Sequence, residues 1–137
     1  MNSVFITLFI SAFVLFPDFV SHKEGPVPAW VAPIEVDKLL NPFSNNVASV
    51  VEGKKTYMQI CFICHGDKGK GDGLGGIALV PRPANFSSPK VQMQSDGAIF
   101  WKITEGRPPM ASYKTILTEV QRWQLVNFIR TFQSIKK

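Results

Sequence analysis

Cysteine and histidine are scarce in this sequence of 137 residues, which contains only two of each. Two cysteines cannot build the disulfide framework that stabilises many small secreted domains. Cys61 and Cys64 are separated by only two residues, and this spacing points to redox, metal or cofactor chemistry instead. The two cysteines are therefore the first candidates for a functional site.

Charge is sparse as well. Charged residues make up 18% of the chain, and no run of five or more Lys or Arg occurs although the formal net charge is +5. Scattered positive charge of this kind suits an acidic partner or surface, and nucleic acid is not expected as a partner. The length suits one domain, and the sequence has no internal repeat and no low-complexity tract.

The N-terminus carries an apolar run over residues 4–16, which is interrupted only by Thr7 and Ser11. This run has the length of a signal-peptide core and is short for a membrane span. We therefore expect residues 1–21 to be an export signal and the mature protein to be periplasmic. No Lys or Arg precedes the run, and the alternative is an uncleaved N-terminal anchor over residues 4–20.

Residues 22–46 are rich in proline, which opposes helix and favours extended or turn structure. The prolines are Pro26, Pro28, Pro33 and Pro42. We predict an irregular arm that either links the domain to a membrane or lies along the domain. Trp30 and Val31 suggest that part of the arm packs on the globular domain, which we place at residues 47–137.

Three helices are predicted in that domain, over residues 47–60, 96–105 and 119–134. Ser95 can cap the second helix, and Thr118 with Gln121 forms a capping-box pattern at the third. The first helix carries an apolar stripe of Val47, Val50, Val51, Tyr57 and Met58. The inner face of the third helix consists of Leu125, Phe128, Ile129 and Phe132.

The connection over residues 66–94 is rich in Gly and Pro and shows no alternating strand pattern. An irregular stretch of this length is uncommon in a compact domain unless something else orders it. The connection therefore suggests a large bound cofactor around which the loop wraps.

Cys61-Phe62-Ile63-Cys64-His65 has the C-x-x-C-H pattern of covalent haem attachment. Two thiols at this spacing can each reach a vinyl group of one porphyrin, and His65 can then ligate the iron from one side. A thioredoxin-type redox pair would need a βαβ context, and a zinc site would need a fourth ligand. No βαβ pattern is evident in the sequence. A fourth zinc ligand is not evident either, because the only other histidine, His22, lies in the proline-rich arm.

Met93 and Met110 are the candidates for the second axial ligand, since no histidine follows His65. Met110 comes directly after Gly106-Arg107-Pro108-Pro109, in which the two prolines stiffen the backbone. Met93 lies in a loop without such bracing. We therefore favour Met110 as the ligand and interpret Met93 as a packing residue.

These residues resemble class I cytochromes c, specifically small bacterial monohaem cytochromes. The resemblance covers about residues 48–135 and implies an all-α cytochrome c fold, with three main helices and long loops wrapped around one covalently bound haem c. In that family a glycine and an aromatic residue on the first helix cross the last helix closely. Gly53 and Tyr57 match that pair, and Leu125 and Phe128 match on the last helix.

The same resemblance extends to the glycine-rich loop that follows His65. It implies that a proline carbonyl accepts the second ring N–H of His65, and both Pro81 and Pro83 qualify. It further implies that Trp101 and Tyr113 pack near the haem, although an ordinary core position fits each of them equally well.

The resemblance implies an electron carrier and not an enzyme. The predicted protein moves single electrons between a redox protein donor and a redox protein acceptor of a respiratory chain, without a small-molecule substrate. The alternative is a fixed haem-bearing relay subunit of a membrane respiratory complex. An enzyme or gas sensor would need an open iron position, which Met110 is expected to close.

Overall fold

The computed structural model describes residues 28–133, which form a helical domain. Five α-helices are labelled in chain order: α1 Val47–Thr56, α2 Phe62–His65, α3 Pro89–Gln92, α4 Asp96–Glu105 and α5 Glu119–Arg130. A 3₁₀ helix, Ile34–Lys38, precedes α1, and a π-helical turn, Tyr57–Cys61, joins α1 to α2. Between residues 28 and 133 the β-pairing is limited to one isolated bridge, from Arg107 to Met110. The predicted all-α class is confirmed.

The predicted signal over residues 1–21 lies outside the described residues, as does the start of the arm over residues 22–27. The signal, the alternative anchor and the domain boundary at residue 47 stay predictions. From residue 28 to residue 133, no helix has both the length and the hydropathy that crossing a bilayer requires.

Side-chain caps define where the helices begin. The Asn46 side chain accepts a hydrogen bond from the backbone of Ser49, and Ser95 accepts one from Ala98, so α1 and α4 each begin with a satisfied amide. Thr118 and Gln121 form the complete capping box of α5. The caps predicted at Ser95 and Thr118 are thus confirmed.

Helices α1 and α5 cross at Gly53, where the two backbones lie in direct contact. A Cβ atom at this position would overlap the carbonyl oxygen of Gln124 and approach the Cβ of Phe128 to 3.1 Å. One turn further on, the ring centroid of Tyr57 lies 5.0 Å from that of Phe128 and 5.5 Å from that of Phe132. Gly53 is therefore required for the close crossing that the resemblance implied.

The predicted apolar stripe of α1 is wrong at three of its five positions, whereas Tyr57 is buried and Val50 packs against the core. Val47 is 77% exposed and Val51 is 49% exposed, and Met58 in the following turn is exposed as well. The side of α1 that faces the core carries small residues, namely Ser49, Gly53 and Thr56. The close approach of α5 at Gly53 explains the difference, because a contact between two backbones leaves no room for large side chains at the crossing. On α5 the predicted residues Leu125, Phe128 and Ile129 are buried.

The glycine-rich loop after α2 folds back over the end of that helix. The amides of Gly71, Gly73 and Gly75 donate to the carbonyls of His65, Cys64 and Ile63 at 2.9, 3.2 and 2.8 Å. These carbonyls belong to the last turn of the helix and have no partner within it. The loop therefore satisfies the C-terminal end of α2 while it turns the chain around the C-x-x-C-H motif.

The described part of the arm lies along the domain. The side chain of Asn41 donates to Asp96 at 2.8 Å and to Asn127 at 2.7 Å, and Asn127 in turn donates to the carbonyl of Phe43 at 2.7 Å. Trp30 packs against Trp101, with ring centroids 6.4 Å apart, whereas Val31 is 76% exposed. The expectation that part of the arm packs thus holds for Trp30 and fails for Val31.

We predict that Gly53→Ala destabilises the protein. Alanine would add up to about 1 kcal/mol of helix propensity, so any net loss must come from the crossing with α5. Because the added carbon would meet backbone, we expect a net loss of about 2 kcal/mol or more in the free energy of unfolding. Guanidinium unfolding followed by far-UV circular dichroism measures it.

Lys54→Ala is the matched control, since Lys54 is the exposed neighbour of Gly53 on the same helix. We expect the free energy of unfolding of this variant to stay within about 0.5 kcal/mol of the parent. A Gly53→Ala variant as stable as the parent would contradict the backbone contact.

Candidate functional site

A cavity of about 640 Å³ lies between the end of the helical segment over residues 47–65, the connection over residues 66–94, α4 and the turn before Met110. Its volume falls within the range of about 300–1,000 Å³ that is typical of cofactor sites. Cys61, Cys64 and His65 line one wall, and Met110 also lines the cavity. Residues that are distant in the sequence, and that we predicted to act together, are thus brought to a single cavity.

The direction of one helical segment determines where Cys61, Cys64 and His65 lie. The chain is helical without a break from residue 47 to residue 65, so the attachment motif forms the last turns of the segment that begins with α1. Gly66 then ends the helix with a φ of 77°, which glycine adopts without strain. The crossing at Gly53 fixes the axis of this segment, and it thereby fixes where its end points.

His65 is held from two sides. Its exposed fraction is 9%, its ring stacks on Phe86 at 4.3 Å, and its Nδ1 lies 3.2 Å from the carbonyl oxygen of Ala84. Because a carbonyl can only accept a hydrogen bond, Nδ1 carries the proton in this contact. The lone pair then remains on Nε2, where a metal can be bound.

The predicted acceptor for His65 needs correction. We expected the carbonyl of Pro81 or Pro83, and the acceptor is the carbonyl of Ala84, the residue after Pro83. The carbonyl of Pro83 faces Gly71 instead, where a Cβ atom would overlap it. Both prolines still line the cavity, so the resemblance identified the right segment but the wrong peptide group.

Burial shifts the pKa values of His65 and Cys61, which both line the cavity. It lowers the pKa of His65, although the hydrogen bond to Ala84 acts in the opposite direction. His65 is therefore kept neutral, which is the form that binds a metal. Burial, with the nearby Cys64, raises the pKa of the Cys61 thiol to about 12, so this thiol is protonated at neutral pH.

Tyr57 anchors the end of the attachment helix. Its ring is fully buried, and its hydroxyl donates to the carbonyl of Gly66 at 2.6 Å. Gly66 directly follows His65, so this bond ties the histidine to the aromatic cluster at the α1–α5 crossing. Sequence reasoning identified Tyr57 as a packing residue but gave no signal for the role of its hydroxyl.

Met110 and Met93 occupy different environments. A tight turn holds the backbone of Met110, because its amide donates to Arg107 at 2.8 Å and its carbonyl accepts from the amide of Arg107 at 3.0 Å. Met93 is 85% exposed and does not line the cavity of Cys61, Cys64 and His65. Geometry thus favours Met110 over Met93, and iron ligation by Met110 stays a prediction.

The cavity fits a haem by the chemistry of its walls. Two thiols, a neutral imidazole and a thioether accompany an apolar lining that includes Ile99, Ile103 and Leu125. Tyr113 lines the cavity as the resemblance implied, whereas Trp101 packs on Trp30 instead. Within residues 28–133 no three His, Cys, Asp or Glu side chains group closely enough to hold a free metal ion.

The helical fold, the C-x-x-C-H motif at a helix end and the apolar cavity together define a c-type cytochrome, a haem-based electron-transfer protein. A family model described as cytochrome c oxidase, cbb3-type, subunit III matches residues 48–129. Because the match spans more than half of the chain, the protein belongs to this family of cytochrome c domains.

Two solved structures are similar to the chain. One, named KustC0563 c-type cytochrome, is 34% identical with a TM-score of 0.52, and the match covers 60% of this chain and 98% of that one. The other, from the Kuenenia stuttgartiensis reducing HAO-like protein complex Kustc0457/Kustc0458, is 23% identical with a TM-score of 0.61. That match covers 82% of this chain but only 53% of the other, and it supports the fold alone. No curated protein matches the chain significantly.

We predict that Tyr57→Phe costs about 1–2 kcal/mol in the free energy of unfolding at pH 8, because it leaves the buried Gly66 carbonyl without its donor. Burial raises the pKa of Tyr57 well above its usual value, so the folded protein keeps this phenol neutral. Above about pH 10 the unfolded chain ionises its tyrosines, and this favours unfolding of the parent. The stability difference between parent and variant should therefore shrink between pH 8 and pH 11.

Denaturant unfolding at both pH values measures this difference. Tyr113→Phe is the comparison variant, because burial also raises the pKa of Tyr113 while no hydrogen bond of its hydroxyl occurs within residues 28–133. It should cost less at pH 8. A difference for Tyr57→Phe that is constant with pH would count against a neutral, buried phenol.

Proposed function

We propose that the protein carries one haem c, attached by thioether bonds to Cys61 and Cys64 and ligated by His65 and Met110. We further propose that it moves single electrons between two redox proteins in the periplasm. The observation that carries this proposal is the single cavity lined by all four of these residues. A bound haem would supply one-electron iron chemistry, and the residues of the chain would set how it is used.

The surroundings of the site favour electron transfer over catalysis. The hydrogen bond to Ala84 and the stack on Phe86 leave His65 little freedom to move away from a bound iron. The turn from Arg107 to Met110 holds the thioether backbone by two hydrogen bonds. With both axial positions occupied, a substrate could reach the iron only by displacing Met110. A soft thioether ligand also favours the reduced state and raises the potential.

A second candidate is a fixed relay subunit within a membrane respiratory complex. The family description, which refers to an oxidase subunit, favours it. The haem chemistry would be the same, and only the mode of partner contact would differ. The two candidates therefore share their site residues. They differ in whether the N-terminal segment is cleaved or is retained as an anchor.

Met110→Leu tests the axial ligand. Leucine conserves volume but cannot bind iron, so we expect the variant to fold and to lose the weak band at the red end of its oxidised spectrum. Its potential should fall, and its reduced form should bind carbon monoxide at neutral pH. Visible spectroscopy and redox titration of the purified protein measure these changes.

The matched control is Met93→Leu, since Met93 is exposed and does not line the cavity. This variant should keep the band, the potential and the resistance to carbon monoxide. Loss of the band in Met93→Leu but not in Met110→Leu would reverse the assignment. A colourless parent protein, expressed with haem-maturation machinery, would refute the haem proposal itself.

The mature N-terminus distinguishes the free carrier from the fixed subunit. For a free carrier we expect intact-mass measurement to show that residues 1–21 are lost, and fractionation to place the haem protein in the periplasmic extract. An uncleaved chain found in the membrane fraction would instead support the relay subunit. Haem staining of both fractions shows that the measured species carries covalently bound haem.

A further inference from the structure

In the described part of the chain, the Lys and Arg residues that line the cavity have no acidic counterpart there. Four basic residues line it, and no Asp or Glu is among the described residues that do. They are Arg82, Lys90, Lys102 and Arg107. None of these four forms an ion pair within residues 28–133, where the ion pairs join other residues. A cation without an anionic partner is costly where it is partly buried, and Lys102 and Arg107 are half-buried whereas Arg82 and Lys90 are exposed. The part of the cavity at Lys102 and Arg107 therefore suits a ligand that brings negative charge.

Lys102 and Arg107 are the best positioned of the four. Both side chains are half-buried and both lie against Trp30, with the Lys102 Nζ 5.6 Å and the Arg107 Cζ 5.2 Å from the ring centroid. Arg107 also donates to the carbonyl of Pro28 at 3.0 Å, and Lys102 donates to the side chain of Gln94. These contacts direct two cations toward one part of the cavity and hold them there.

The partners of both cations are neutral groups. A ring face and an amide or peptide oxygen attract a cation, but they leave its charge uncompensated. Burial and the positive charges of Arg107 and Lys90 lower the pKa of Lys102, which is the expected direction for a cation without a carboxylate partner.

The chemistry of a c-type haem supplies the missing charge. The thioether links lie on one side of the porphyrin, and the other side carries two propionate carboxylates. Here the cysteines belong to the helical segment over residues 47–65, whereas Lys102 lies on α4 and Arg107 in the turn that leads to Met110. The cations and the thiols therefore come from different elements that line the same cavity.

We propose that Lys102 and Arg107, held against Trp30 of the N-terminal arm, form the binding site for the haem propionates. The inference rests on the haem proposed above and adds a role for the arm. Trp30 is a positioning residue, because its ring keeps both cationic groups at the cavity and out of solvent. The arm is thus a part of the cofactor site and not only a connection to whatever precedes it.

Lys102→Gln, Arg107→Gln and the double variant test this site in the haem-loaded protein. Two quantities are measured: the bending bands of the propionates in the resonance Raman spectrum, and the midpoint potential from redox titration. We expect the bands to shift in each variant, because a donor to the carboxylates is lost. The potential should fall, since uncompensated carboxylates stabilise oxidised iron, by up to about 59 mV per charge, a tenfold change in the electron-exchange equilibrium.

Lys55→Gln is the matched control, since it removes the same charge from an exposed lysine outside the cavity. We expect this variant to leave the bands and the potential unaltered. Trp30→Leu retains both cations but removes the ring against which they lie, and we expect it to shift the bands in the same direction by a smaller amount.

Unaltered bands in both single variants, with normal haem content by the pyridine assay, would overturn the propionate site. The two cations would then serve an acidic protein partner, and salt-dependent electron-transfer rates would be what the variants change. If the double variant does not fold, Lys102→Arg and Arg107→Lys decide the matter, because each conserves charge but changes the donor geometry, so the bands must still move. A parent protein without haem would refute the proposed function instead.

Discussion

The close crossing of α1 and α5 at Gly53 is the contact on which the remainder of the structure depends. It fixes the axis of the helical segment that ends in Cys61, Cys64 and His65, because no side chain separates the two backbones there. Tyr57 connects the crossing to the site. Its ring packs in the aromatic cluster with Phe128, and its hydroxyl donates to the carbonyl of Gly66, the residue after His65. Packing between two helices thereby determines the direction of the C-x-x-C-H motif.

The loop around the motif is ordered by two kinds of contact. Its length and composition predict that a bound cofactor orders it, and the cavity it lines supports this interpretation. Part of the order nevertheless comes from the chain itself, because three glycine amides pair with the last carbonyls of the attachment helix. Glycine allows this close return of the backbone. The loop therefore completes the helix end as well as enclosing the cavity.

Local signals in the sequence predicted the features that depend on neighbouring residues. Capping side chains gave the starts of α4 and α5, and the attachment motif gave three cavity residues from a five-residue pattern. Features that depend on tertiary distance were missed. The valine stripe of α1 failed because the spacing between two helices is not encoded in the periodicity of one of them. The acceptor for His65 was displaced by one peptide, since which carbonyl turns inward depends on the path of the whole loop.

The joint placement of Lys102 and Arg107 against Trp30 was missed for a related reason, and it changes how the arm is understood. Lys102 and Arg107 look like ordinary surface charges in a sequence, and only the fold brings both against one tryptophan. The same arm is held further along by the bonds between Asn41, Asp96 and Asn127. From residue 28 onward the arm is therefore held on the domain at two places, Trp30 and Asn41, and Trp30 also lines the cavity. The part of the arm that the structure describes thus belongs to the domain that encloses the cavity.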